Sequence, residues 1–324
     1  MTTIDLTGAA PSTGPAPSLH LADLATRSVA RRRRLTNRLM TVLMGLAVLV
    51  AIAPLGYLLV SVVSKGAGVI SSDWFTKDIP TSFPSAERAA EYGAEGPFPS
   101  FRIVYGMAPA IWGTLLTTGL ASLISIPTGV LAAVYLNEYG RKGRLARVLR
   151  FFSDVMTGVP SVVMGVFVYL VIVLQWKERS ALAGALALAC LMLPVIVRST
   201  EEMLRLVPNS LRDAAAGLGT PTWRATLTVV LPAALPGITS GCMLAVARAA
   251  GETAPLLFTI GSVSAVNWSV LGPNTALSTQ IYSNVSTPGA EGMAWGAALT
   301  LIVLVLVLTV LARWVTSKFS FDLD

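Results

Sequence analysis

Residues 39–63 read Leu-Met-Thr-Val-Leu-Met-Gly-Leu-Ala-Val-Leu-Val-Ala-Ile-Ala-Pro-Leu-Gly-Tyr-Leu-Leu-Val-Ser-Val-Val, 25 residues without a charge. At about 1.5 Å per residue a helix of that length more than spans the ~30 Å hydrocarbon layer of a bilayer. Arg31 to Arg34 and Arg38 precede it, as basic residues precede the core of a secretory leader. A leader core holds only about 7–15 apolar residues, so this run is expected to stay as a membrane helix. Four more uncharged runs follow, Met107–Leu136, Val155–Leu174, Ser180–Val197 and Gly292–Ala312, each long enough to cross once. A sixth, Pro236–Ile260, carries Arg248 and Glu252 inside it.

The composition agrees with a membrane protein: 54% of the 324 residues are hydrophobic and 13% charged, against about a quarter charged in soluble domains. The fold expected is all-α and polytopic, with six transmembrane helices. The net charge of +7 suits nucleic acid only when the basic residues share one exposed face, and here they lie between apolar runs. Nucleic acid is therefore not expected as a partner; membrane lipid is. Six crossings put both termini on one side. Of the 24 Lys and Arg, 17 fall in the tails and the loops 141–150 and 198–224, and 6 on the other side. The positive-inside rule makes the richer side cytosolic.

This divides the chain into a basic cytosolic tail expected to be disordered (1–38), the first helix (39–63), an extracytoplasmic segment (64–105), a five-helix core (106–316) and a short cytosolic tail (317–324). Residues 64–105 and 261–291 are rich in Gly, Pro, Ser and Asn, and Trp74, Phe75, Phe98 and Phe101 stand where an interfacial aromatic belt belongs. These segments either meet an external partner or only cap the helices. Cys190 and Cys242 lie in separate apolar runs and the one histidine, His20, lies in the polar tail, so neither a metal site nor histidine catalysis has material. No nucleophile and base stand together, so no catalytic residue is expected.

The loop 198–232 is patterned beyond a linker. Pro208 suits the start of a helix, Leu211 to Leu218 favours one, and Gly219 suits the left-handed position that ends it; Thr220-Pro221 opens a second short helix. Two short helices meeting at a glycine form either a knob for another protein's groove or an ordinary turn. The segment resembles the signature loop of ABC importer permeases. Its elements are Asp213-Ala214-Ala215, Gly219 and Val229-Val230-Leu231-Pro232, at that family's spacing, with Asp for the usual Glu and Val for Ile. The resemblance implies a MetI-like permease core whose loop couples, through Asp213, Ala214, Ala215, Gly219, Leu231 and Pro232, to an ATP-hydrolysing subunit. No Gly-x-x-x-x-Gly-Lys-Ser/Thr phosphate loop occurs here, so ATP and Mg are expected on a separate chain and no cofactor in this one.

Arg248 and Glu252 stand four residues apart, hence on one helical face. Counted from Pro236, Arg248 lies about 18 Å along the span, near the bilayer midplane. An arginine there costs about 2.5–3.5 kcal/mol on the lenient insertion scale. Either the pair is a self-neutralising ion pair that fixes packing, or it lines a wet path where the guanidinium offers forked donors to a tetrahedral oxyanion. A carboxylate accepts the proton of hydrogen phosphate but repels sulfate, which has none.

The run Ala247 to Phe258, Ala-Arg-Ala-Ala-Gly-Glu-Thr-Ala-Pro-Leu-Leu-Phe, is similar to the corresponding segment of PstA-type phosphate permeases, as are Gly113-Thr114-Leu115 and Thr157-Gly158-Val159-Pro160-Ser161. The likeness covers about 105–316. It implies a substrate path at Arg248, Glu252 and Thr253, a PstC-type permease and a PstB-type ATPase dimer as partners, an extracytoplasmic phosphate-binding protein, and a bacterial inner membrane. Thr157 and Ser161 are read as small packing residues. The rival readings are a sulfate or molybdate permease and, further off, an ion-gradient-driven transporter or passive channel.

Overall fold

The structure is a computed structural model that describes residues 19–80, 105–140 and 143–319. Among these residues there are helices and no strand. Five helices are long and apolar enough to cross a membrane: Arg33–Gly66 within α1 (Leu19–Gly66), α2 (Ala108–Tyr139), α5 (Ala181–Leu206), α7 (Thr222–Ala250) and Glu291–Trp314 within α10 (Glu291–Phe319). A sixth follows if α3 (Arg144–Gly158) and α4 (Ser161–Trp176) count as one bent span.

The first unit is residues 1–60 and the second 61–324. In the first, helix begins at Leu19, which corrects the expectation of a disordered tail through residue 38. Extending an existing helix adds one hydrogen bond per residue fixed, so the membrane span supplies the costly nucleus for the basic stretch before it. Residues 1–18 lie outside the described residues, as do Phe98, Phe101 and the last five residues. Nearly every described side chain from Arg33 to Val60 is exposed, the pattern of a helix whose solvent is lipid.

In the second unit the third crossing departs from Val155–Leu174. The chain turns by 109° between Gly158 and Ser161. Pro160 has no N–H and disfavours helix at Val159, whose φ of −75° and ψ of 129° are extended. α3 and α4 therefore form a bent pair, and neither is by itself among the five helices long enough to cross. The part before the bend, α3, exposes Leu145, Val148, Phe151, Phe152 and Val155 beside a polar face, as a helix lying in the membrane surface does.

The main core joins α2, α5, α7 and α8 (Ala254–Thr259) around Leu188, Met192, Ile196, Leu204, Leu256 and Ile260. Small residues allow the close approaches: a Cβ on Gly113 would collide with the Thr275 carbonyl, and one on Gly165 would lie 2.5 Å from Pro255 Cα. A second cluster gathers Met107, Leu277 and Met293 around Trp74. Trp74 was expected in an interfacial belt; instead it is fully buried, its ring against Gly296 and its Nε1 donating to Thr300 Oγ1 at 2.9 Å. The amphipathic indole is satisfied inside because one small residue leaves room and one hydroxyl meets its donor. Phe75 is exposed.

Gly113→Ala should lower the thermal midpoint of the detergent-purified protein by the equivalent of about 1–3 kcal/mol. Gly119→Ala, on the same helix with nothing within 4 Å of the added carbon, should leave it unchanged or raise it. Equal midpoints for the two variants would contradict this packing.

Candidate functional site

The helix that carries Arg248 starts and stops elsewhere than expected. It runs from Thr222 to Ala250 and then breaks over Gly251, Glu252 and Thr253 before α8 begins. Pro255 brings no N–H to the Gly251 carbonyl, which a continuous helix requires. The Glu252 carbonyl accepts instead from Ser278 Oγ at 3.0 Å, donated by α9 (Leu277–Val285). Thr253, half-buried, precedes α8, and its carbonyl accepts from the Leu257 N–H at 3.1 Å.

Depth follows from the antiparallel register of α5 and α7. Gly237 lies against Met203, Gly241 against Ser199 and, beyond the break, Leu256 against Gly184. Four residues up one helix match four down the other, which sets Arg248 level with Met192, the middle of the 26-residue α5. Arg248 thus lies level with the middle of α5 although its own helix begins fourteen residues before Pro236.

At that depth Arg248 is not sealed in packing. Its side chain is 69% exposed, that of Glu252 20%, and Nε meets Oε1 only at 3.5 Å. The remaining guanidinium donors have no partner among the described residues. Pro232, Pro236, Ser240, Leu244 and Arg248 form an exposed stripe, one residue per turn along α7.

On the face where α5 ends, α6 (Asn209–Gly217) and the start of α7 build the second feature. Gly219 has φ +73°, its N–H donates to Ala216 O at 2.9 Å, and Thr220 N–H reaches Ala215 O at 3.1 Å. That pair of bonds closes a helix only with a left-handed residue, which the glycine supplies. Ala215 is buried and anchors α6, whereas Asp213 and Ala214 are exposed. Leu231 is half-buried and packs on the main core, and Pro232 is exposed. Leu206, Leu218, Trp223 and Leu227 are exposed around the loop, an apolar rim on a polar knob.

Beneath α6 lies a network that the sequence reading counted only as basic charge. Arg212 Nη2 bonds Glu138 Oε1 at 2.9 Å and Leu204 O at 2.8 Å, Nε bonds Glu138 Oε2 at 3.3 Å, and Nη1 reaches Val207 O at 2.7 Å and Asn209 Oδ1 at 3.4 Å. All five donors of the guanidinium are used. Glu138 is 6% exposed and sits at the end of α2, 74 residues from Arg212. The loop is thereby tied to a distant span. The only hint in the sequence was a carboxylate, Glu138, at the edge of a basic loop.

Residues 125–321 match the family described as binding-protein-dependent transport system inner membrane component. The chain belongs to that family. Among its relatives, the phosphate transport system permease protein PstA 1 of Mycobacterium tuberculosis is 40% identical over 294 residues, covering 89% of this chain and 91% of the relative. The phosphate transport system permease protein PstA of Yersinia pestis is 40% identical over 290 residues, covering 88% and 92%. The chain also shares its fold with a chain of the MetNI methionine ABC transporter in an inward-facing form, with TM-score 0.52 and 19% identity over 65% of this chain and 93% of that one. The expected MetI-like permease core is therefore correct, and family membership makes this a multi-pass membrane component of an ABC system.

Arg212→Met leaves Glu138 buried without its fork and should cost about 3–5 kcal/mol of stability. The double variant Arg212→Met with Glu138→Leu should recover most of that loss in detergent thermal unfolding. A double variant as unstable as the single one would rule out a paired role.

Proposed function

We propose that this chain is the permease subunit of an ATP-driven importer of inorganic phosphate, forming half of its translocation path. The observation that carries the reading is the Arg248 guanidinium, level with the middle of α5 and exposed on an otherwise uncovered stripe of α7. Hydrocarbon is a poor solvent for that group. A second permease facing the same stripe, of the PstC type, encloses it in a passage wet enough for a hydrated anion.

Hydrogen phosphate then exchanges partners with Glu252. Arg248 turns its forked donors to two phosphate oxygens, and Glu252 accepts the remaining phosphate proton. The 3.5 Å contact of Arg248 with Glu252 is easily exchanged. Thr253 adds a hydroxyl beside the broken backbone. Sulfate offers no proton to Glu252, which favours phosphate over the sulfate and molybdate alternatives. The names of the relatives support the same substrate.

ATP hydrolysis is assigned to a separate dimer of the PstB type, since this chain has no phosphate loop. The exposed Asp213 and Ala214 with the rim of Leu218 and Trp223 enter its groove, and Gly219, Leu231 and Pro232 set the angle between α6 and α7. Both termini lie on that cytosolic side by the distribution of Lys and Arg. An extracytoplasmic phosphate-binding protein delivers the anion to the opposite face.

In proteoliposomes holding the assembled complex, Arg248→Ala should reduce ATP-dependent phosphate uptake at least about 100-fold, the loss of two charge-assisted hydrogen bonds. Glu252→Gln should narrow the preference for phosphate over sulfate. Undiminished uptake by Arg248→Ala, or unchanged discrimination by Glu252→Gln, would refute the respective role.

A further inference from the structure

A cavity of about 440 Å³ opens where α3, the end of α5 and the start of α6 meet, lined by Asn137, Arg150, Arg205, Asn209 and Arg212. Three guanidinium groups and two carboxamides line it, and among the described residues no carboxylate does. Their bonding is unequal. Arg212 has spent every donor and serves as frame.

Arg150 gives Nε to Glu201 Oε1 at 2.9 Å and Nη2 to Leu136 O at 2.8 Å, leaving Nη1 without a partner among the described residues. Arg205 gives Nη2 to the same Glu201 oxygen at 2.6 Å, leaving Nε and Nη1. The Asn209 amide nitrogen also has no partner among the described residues. Two cations thus converge on one carboxylate oxygen. The neighbouring Asp154 and Glu202 are both paired with Arg198.

We propose that this cavity binds a phosphate group through Arg150, Arg205 and Asn209, at a site distinct from Arg248. A phosphate group matches forked guanidinium donors and supplies the negative charge that one shared carboxylate does not. The three ligands come from three helices on either side of Val207 and Pro208, where α5 turns into α6. An anion held by all three fixes α6 against the core and restrains the loop through which hydrolysis is coupled. Occupancy therefore slows transport, a feedback from the loop-bearing face.

Two sources offer this chemistry: free inorganic phosphate, or the headgroup of an acidic phospholipid lying beside the exposed Leu145, Val148, Phe151 and Phe152 of α3. Native mass spectrometry of the full chain with its co-purifying partners separates them, with inorganic phosphate added in one arm and phosphatidylglycerol in the other. The wild type should retain one of the two anions. Arg205→Gln and the surface change Asn209→Ala should each weaken retention at least about tenfold. Arg248→Ala should leave it unchanged. Retention lost with Arg248→Ala places the anion in the translocation path and overturns the proposal, as does wild-type retention of neither anion or retention by Arg205→Gln and Asn209→Ala as strong as that of the wild type.

Discussion

A guanidinium level with the middle of a membrane-length helix needs a solvent, and the chain beside it departs from plain helix. Among the described residues Arg248 keeps most of its donors unfilled, and within one turn the backbone itself leaves the helical pattern at Gly251–Thr253. Broken helix is tolerated at membrane depth only inside protein or beside water. In the proposed path one wet strip enclosed by a second permease meets both costs, and the charge and the break then belong to one site. Ser278 supports this by capping the freed Glu252 carbonyl from α9, which ties the segment between the last two spans to the depth of the charged pair.

The same economy of placement appears at the loop. Asp213 and Ala214 face outward and Ala215 inward, because α6 is a short helix with one buried stripe. One residue before Asp213, Arg212 locks that helix to Glu138 at the end of α2. Motion of α6 is therefore delivered to α2 directly, in addition to α5 and α7, to which it is joined by chain. On the far side of the core, Gly165 of α4 receives Pro255 of α8 with no room for a side chain, so the segment after the charged pair moves with α4.

Features set by local chemistry were legible in the sequence. The uncharged run of Leu39–Val63, the left-handed Gly219 and the four-residue spacing that brings Arg248 to Glu252, although the helix ends between them, each depend on neighbours within a few residues. Pro160 was equally visible, but its effect was masked by apolar residues on both sides, since hydropathy measures solubility in lipid and is blind to direction. Trp74 was misplaced for a related reason: an indole at an interface and one in a core look alike until Gly296 and Thr300, more than two hundred residues on, are brought beside it. The Arg212–Glu138 pair was invisible for the same cause.

Stability alone does not explain that pair. Desolvating two charges offsets most of their attraction, and a close-packed apolar pair of similar volume often serves a fold equally well. What an apolar contact does not supply is direction, because it tolerates sliding and rotation at little cost. A guanidinium with all five donors engaged, two of them on one carboxylate and two on the carbonyls of Leu204 and Val207, holds both distance and angle. In the proposed coupling role the loop turns a partner's movement into a fixed displacement of membrane helices, which requires that constraint, and we take it as the reason charges occupy a place where leucines would fold.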